Sequence, residues 1–297
     1  MKAIILHNMG GARSEDELRE FLLNMFKDKR IISSPIRYIL SFLIANLRYK
    51  KVWKNYEKIG GSRIYKITEN LCKKMRQYTD FDVVYAMRYT KPYLKDIIYK
   101  YDEVIFLPLY PHYSFTTYES SLDDLKSTNF KGKIKIVKPF FKEKRFNEII
   151  KENILKEVDN PKKWNLIFSA HGIPKKLIKK GDKYYENIIE HINILKKMLP
   201  EFKSINLAFQ SRFGPFEWLK PYLDDELKKY KNENVIIYPI SFMIDNSETD
   251  LELNIEYRHL AKNFGINKYK VISCPNDDEK IAKFLVELAN ESYNSKS

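Results

Sequence analysis

Cysteine is nearly missing from this chain: Cys72 and Cys274 are the two it has in 297 residues. They lie far apart and match no metal-ligand spacing, which excludes a zinc ribbon or cysteine-held cluster, argues against a disulfide frame and points to a reducing compartment. Long apolar runs are missing as well. The most apolar stretch, Tyr38 to Leu47, is about ten residues, half of what a bilayer span needs. Met1-Lys2-Ala3 leads straight into an apolar run too short for a secretory leader, and nothing resembles an arginine-rich transit peptide. Acidic residues are outnumbered: 39 Asp and Glu against 53 Lys and Arg leave a net charge of +14. That surplus suits phosphates, acidic headgroups or carboxylated small molecules, and equally a lysine-rich solvated surface. The lysines are scattered through the helical stretches 143–156 and 175–197, with no arginine stripe and no recognisable motif, so nucleic acid is not expected as a partner.

What is present is a folded α/β pattern. An apolar content of 44% with 31% charged residues fits a globular protein, and the length suits two domains of about 150 residues. Apolar runs at about 3–7, 82–87, 103–109, 134–138, 165–170, 204–209, 235–242 and 269–273 alternate with helical spacing, the signature of βαβ units. The halves rhyme: Ile4-Ile5-Leu6-His7-Asn8-Met9-Gly10-Gly11 and Leu166-Ile167-Phe168-Ser169-Ala170-His171-Gly172 both end an apolar run in a polar residue and glycine. The expectation is two similar doubly wound domains, 1–157 and 158–297, each with a four-stranded parallel sheet flanked by helices. Their join is set where Glu157-Val158-Asp159-Asn160-Pro161 breaks a helix. A ligand cleft would lie between them, at the strand ends.

The turns carry the chemistry-bearing residues. Asn165 to Pro174 reads as a buried strand that stops at His171, Gly172 and Pro174, placing an imidazole where it could handle a proton or a metal, or serve as a hydrogen-bonded structural residue. Six of the nine glycines (Gly10, Gly11, Gly60, Gly61, Gly172, Gly214) fall in such turns or their counterparts, where backbone must approach closely. Ser14 reads as the cap of a helix with an acidic first turn. The segment from about 31 to 53 is rich in large apolar residues with a basic collar; periodicity favours a buried helix over an exposed lip that touches membrane or guides an apolar ligand. Glu248, Glu252 and Glu256 share one helical face, either solvated or with the first carboxylate turned toward His171 and the others lining a cation path behind it.

At this combination the chain resembles ferrochelatase, the family that inserts ferrous iron into a porphyrin. The likeness rests on Asn8-Met9-Gly10-Gly11, Tyr56 through Gly61, Arg88-Tyr89, Tyr110-Pro111-His112-Tyr113-Ser114, Ser169 through Pro174, Gln210-Ser211-Arg212 with Gly214-Pro215 and Trp218-Leu219, and Glu248-Thr249 with Glu256-Tyr257, in that order. It implies that His171 and Glu248 are the catalytic pair and the iron ligands, with Glu252 and Glu256 on a metal or proton path behind them. It further implies that Arg48, Tyr56 and Ser62 meet porphyrin propionates and that Met9, Arg88, Tyr89 and Trp218 surround the macrocycle. Residues Ile36 to Leu47 match the family's pocket lip, which turns the preference from burial to exposure. Porphyrin and Fe²⁺ are then the substrates, with no tightly bound cofactor and no iron-sulfur cluster. The implied location is the cytoplasm, with weak peripheral contact to an anionic inner membrane face.

The chemistry suits these residue types. Metal insertion displaces two pyrrole protons, for which a neutral imidazole is a sensible acceptor, and an imidazole with a carboxylate can hold ferrous iron without trapping it. Three positions depart from the family pattern. Asn246 stands where a histidine is usual and cannot take a proton; the segment after Gly61 is one residue short and reads Ser62-Arg63-Ile64 where a proline is common; and His112 replaces a more frequent glutamine, a change read as incidental. The alternatives are a coproporphyrin ferrochelatase, a porphyrin- or haem-binding protein without catalysis, suggested by Asn246, and an anion-binding surface protein.

Overall fold

In the computed structural model, which describes residues 1–295, the eight expected strands form two four-stranded parallel sheets. The first contains β1 (Lys2–Asn8), β2 (Asp82–Met87), β3 (Glu103–Pro108) and β4 (Lys133–Ile136), in the order β2-β1-β3-β4. Residues 3–8 of β1 are all buried, because both faces of a parallel sheet are covered. Ala3 and Ile5 pack with Leu94, Ile98, Phe106 and Leu125. Three helices follow β1: α1 (Glu15–Lys27), α2 (Arg37–Glu57) and α3 (Ile64–Met75); α4 (Tyr118–Ser127) lies between β3 and β4. The Ser14 hydroxyl accepts from the Glu17 N–H at 3.3 Å and caps α1, as its position before three acidic residues implies.

The second sheet holds β5 (Trp164–His171), β6 (Ser204–Gln210), β7 (Asn234–Pro239) and β8 (Lys268–Val271) in the order β6-β5-β7-β8. Its helices are α5 (Lys144–Lys156), α6 (Lys175–Lys179), α7 (Tyr184–Met198), α8 (Leu223–Leu227), a π-helix (Glu248–Glu256) and α9 (Tyr257–Asn263). The helix expected over 175–197 is two helices, because Gly181 takes φ +95° and ends α6. The apolar run 235–242 stops as a strand at Pro239; Phe242 N–H turns back to the Pro239 carbonyl at 3.2 Å.

The compact units are not two consecutive halves divided at 157. Among the described residues one comprises 1–110, 114–139 and 276–295 and the other 111–113 and 140–275. Helix α5, though it precedes the helix-breaking Glu157–Pro161, packs against α7 in the second unit. The closing helix α10 (Glu279–Asn294) returns to α3 and β3 of the first. The apolar faces decide membership, and a break in helical pattern marks only the end of an element.

A buried polar chain runs through the second unit. Asn147 Nδ2 donates to the carbonyls of Phe141 (2.8 Å) and Glu143 (2.9 Å), so its Oδ1 must accept from His191 Nε2 at 2.8 Å. His191 Nδ1 is then an acceptor for His112 Nε2–H, 2.8 Å away, and His112 Nδ1 is left without a partner among the described residues. His112 is therefore built into the core rather than incidental. Burial lowers the pKa of His191 to about 3, and burial together with its neighbour depresses His112 as well.

Both rings are neutral in the fold, whereas the unfolded chain protonates near the ordinary value of 6.5. The unfolded state binds more protons below that value, so stability falls as pH drops through it. At pH 5.5 the loss relative to pH 7.5 is about 1.4 kcal/mol for each histidine. His112→Gln keeps a donor for His191 and removes one titrating group. In urea unfolding at the two pH values the variant is expected to lose about 1.4 kcal/mol less than the wild type on going from pH 7.5 to 5.5, the contributions of the other titrating groups being common to both; an unchanged pH dependence would place the titration elsewhere.

Candidate active site

His171 is the last residue of β5, in register with Gln210 of β6. Its peptide is held on both sides: the N–H donates to Ser241 Oγ at 3.0 Å, and the carbonyl accepts from the Tyr184 hydroxyl at 2.9 Å. The ring meets Phe242 edge-on at 6.3 Å. Gly172 follows because nothing larger fits. A β-carbon there would lie 2.7 Å from the Ser211 carbonyl oxygen and 2.9 Å from that of Gln210, to which Gly172 N–H donates at 2.7 Å.

Glu248 opens the π-helix and sets its Oε1 3.0 Å from His171 Nε2. The side chains keep 33% and 23% exposure, so the pair is reachable from solvent. Glu252, one turn on, accepts from the Ser211 hydroxyl and from Gln210 Nε2 at 3.3 Å. Gln210 is oriented in turn by Ser169, whose hydroxyl donates to its Oε1 at 2.7 Å. Glu256 is exposed. The three carboxylates thus run from a half-buried contact with His171 to solvent, on a wide-turned helix of a type often found at functional sites. Of the two sequence alternatives, the structure sets Glu248 toward His171, with Glu252 half-buried behind it and Glu256 exposed.

The electrostatics correct one expectation. Burial would lower the His171 pKa, but the Glu248 carboxylate beside it, with Glu252 behind, raises it to about 9. The imidazole is a cation at neutral pH when only Glu248 faces it, not the neutral ring inferred from its position. Burial and the charge of Glu248 push Glu252 up to about 7, against the Ser211 hydrogen bond. Among the described residues no group of three or more His, Cys, Asp and Glu side chains is arranged to hold a metal ion. The pair can offer one nitrogen and carboxylate oxygens, a partial ligand set.

Asn246 takes a local role. Its Oδ1 accepts from the Glu248 N–H at 2.8 Å and its Nδ2 donates to the Ile244 carbonyl at 3.2 Å. This Asx turn starts the helix that carries the carboxylates. Trp218 bridges Pro174 through its backbone, and its buried indole N–H has no acceptor among the described residues.

The other candidates lie in the first unit. Met9 is half-buried against the α1–α2 cluster. Tyr89 and Arg88 are committed to an internal network: the Tyr89 hydroxyl donates to Asp28 at 3.0 Å, and Arg88 donates to Asp28 (3.3 Å), Asp124 (2.9 Å) and Ser120 (3.1 Å). Asp124 also meets His7 Nε2 at 3.0 Å. Their main chains are tied to the β1 end, Arg88 N–H to the Asn8 carbonyl (2.8 Å) and Tyr89 N–H to that of Met9 (3.0 Å). Ser62 is buried against Gly11 and Tyr56 is buried near the end of α2, whereas Arg48 is exposed.

A family model described as Ferrochelatase matches residues 1–293. The chain belongs to the ferrochelatase family. A ferrochelatase of Campylobacter concisus is 45% identical over 96% of each chain. That of Nitratiruptor sp. is 41% identical over 97% of this chain and 99% of its own. Among solved structures, "SirB from Bacillus subtilis with Fe3+" superposes with a TM-score of 0.59 at 11% identity, covering 99% of this chain and 96% of that one. CbiX, titled the terminal enzyme for siroheme biosynthesis in denitrifying bacteria, gives 0.56 at 12% identity, with 98% of each covered. At such identity these two speak for the fold, a two-domain chelatase architecture.

Several residues that hold the His171–Glu248 pair or the Arg88–Tyr89 network are missing from the sequence-derived set. Ser241, Gln210 and Ser211 sit in the strand-end stretches that carry the motifs, so their position was a usable signal. Tyr184 and Asp28 had none, since each lies where helical periodicity begins or ends. The close approach at Gly172 is testable: Gly172→Ala must push two strand-end carbonyls aside and is expected to cost about 2 kcal/mol, read as a lowered urea midpoint. An unchanged midpoint would show that the turn relaxes freely.

Proposed function

We propose that the porphyrin is protoporphyrin IX and that this chain carries out the last step of haem synthesis: Fe²⁺ replaces the two pyrrole protons and both leave as H⁺. Iron insertion into a porphyrin is the activity of the ferrochelatase family, to which the chain belongs. The observation that carries the assignment of His171 and Glu248 is their 3.0 Å ion pair at a strand end. A carboxylate that stabilises a proton on the imidazole will stabilise a dication in its place, and a dication near Glu248 repels the His171 proton. Iron arrival then sends the His171 proton toward solvent and frees the imidazole nitrogen, which takes the two pyrrole protons in turn, each passed on toward solvent, as the metal enters the ring. Glu252, with its raised pKa, and exposed Glu256 extend the route to solvent. Two residues supply fewer ligands than ferrous iron prefers, which favours transfer over retention.

In the first unit we assign Met9, Arg88 and Tyr89 to the macrocycle, the last two stiffened by the Asp28 network, and Arg48, Tyr56 and Ser62 to the propionates; in the second unit we assign Trp218 to the macrocycle. No cofactor is required for this reaction. No helix among the described residues is long and apolar enough to cross a membrane; the exposed apolar residues of α2 support weak contact with an anionic membrane face, and we place the enzyme in the cytoplasm.

Anaerobic iron insertion followed by absorbance tests the reading. His171→Ala and Glu248→Gln are expected to bind porphyrin and to lose about 100-fold or more in turnover. Wild-type turnover in both variants would move the chemistry elsewhere. Offered both porphyrins, the wild type should consume protoporphyrin; exclusive use of coproporphyrin would overturn the substrate, and binding without insertion of either would favour a porphyrin-binding protein.

A further inference from the structure

The connection between α1 and α2 carries charge that iron insertion does not use. Lys29, Arg30, Ser33, Ser34, Pro35 and Arg37 line an open groove of about 590 Å³. Arg30 is held by Asp123 (2.8 Å) and Glu119 (3.3 Å), and Lys29 lies 3.5 Å from Asp123. Arg37 is different. Its Nε donates to the Lys27 carbonyl at 3.1 Å, its Nη2 to the Tyr38 hydroxyl at 3.2 Å, and its guanidinium carbon lies 4.6 Å from the centre of the Tyr38 ring. No carboxylate is among its partners in the described residues. The acid within this run, Asp28, is turned inward to Arg88 and Tyr89. Three cations therefore line the groove against two facing carboxylates, with two serines beside them.

Beyond this groove α2 exposes a continuous apolar stripe. Ile36, Ile39, Leu43 and Leu47 follow one another at helical spacing with Tyr38 and Phe42 alongside, at exposures between 48% and 80%. An exposed apolar face of this kind marks an interaction site when polar residues rim it. The rim is cationic: α2 also carries Arg48, Lys50, Lys51 and Lys54, with Glu57 as its single acid. A protein partner's interface core would avoid this density of charge. A bilayer surface fits both halves, since acyl chains receive an apolar face while anionic headgroups draw in the cations above them.

We propose that the groove lined by Lys29, Arg30, Ser33, Ser34 and Arg37 binds the phosphodiester headgroup of an anionic phospholipid, while Ile36, Ile39, Phe42, Leu43 and Leu47 enter the acyl boundary of the same membrane. The inference rests on the membrane-contact part of the proposed function and is independent of which porphyrin is used. It divides the labour: the stripe supplies insertion, and the groove supplies lipid selectivity.

Co-sedimentation of the full chain with phosphatidylcholine vesicles, with or without phosphatidylglycerol, reads both terms, and iron insertion measured without vesicles reports the site separately. The wild type should bind the mixed vesicles several-fold better than the neutral ones, and salt should weaken that preference. Lys29→Gln with Arg37→Gln should reduce binding to mixed vesicles about fivefold for each charge removed, leaving residual neutral binding and vesicle-free insertion intact. Phe42→Ser with Leu43→Ser should lower binding to both vesicle types. Equal binding of the wild type to both, or full preference in the Lys29/Arg37 variant, would overturn the headgroup site. So would loss of vesicle-free insertion in that variant with vesicle binding retained, since the groove would then serve the porphyrin carboxylates. A wild type that binds selectively yet inserts no iron would leave the groove standing and sink the catalytic reading.

Discussion

A histidine and a glutamate that neutralise each other at 3.0 Å set the demands on the second unit. Neither charge could stay half-buried alone, because desolvation of an unpaired ion costs several kcal/mol. Holding them together fixes the architecture around them. The β5 peptide is clamped by Ser241 and Tyr184, the turn behind it closes over Gly172, and Asn246 starts the helix so that Glu248 emerges at the required place. A second carboxylate, Glu252, can be tolerated behind the pair only because Ser211 and Gln210 donate to it and its ionisation is partly suppressed. The arrangement is suited to exchanging one positive charge for another.

The first unit solves a different problem with similar means. Asp28 gathers donors from Arg88, Tyr89 and the Ser120 hydroxyl, and Asp124 joins Arg88 to His7. These groups face one another, so the network consumes the hydrogen-bonding capacity of residues whose types suggest ligand contact. A guanidinium divided between two carboxylates acts on a neighbouring surface through rigidity.

Much of this was legible in the sequence, for physical reasons. Parallel strands buried on both faces leave continuous apolar runs, and strand ends must be punctuated by small or polar residues, so all eight strands and the His171 turn could be read from local pattern. Glu248 could be placed on a helix face but its rotation toward His171 could not, since solvated and inward readings share one spacing. The protonation of His171 was misread because it depends on a carboxylate 77 positions away. The unit boundary was misread because a helix break says where an element stops, not which core its apolar face joins; α5 and α10 both cross the expected cut. His112 looked incidental because its partner, His191, and the Asn147 that orients that partner come from separate helices.

The matching strand orders carry one further consequence. Leu109 N–H bonds the His7 carbonyl at 2.8 Å just after Pro108, and Ile240 N–H bonds the Ser169 carbonyl at 3.0 Å just after Pro239. These bonds align the two repeats, His7 with Ser169, and two residues later Met9 with His171. One architectural position, the exit of a central strand beside its neighbour's proline, thus carries a soft thioether in one copy and a titratable imidazole in the other. Two sheets of one topology set different chemistry at the same seat, a titratable ring in one and an uncharged, flexible side chain in the other.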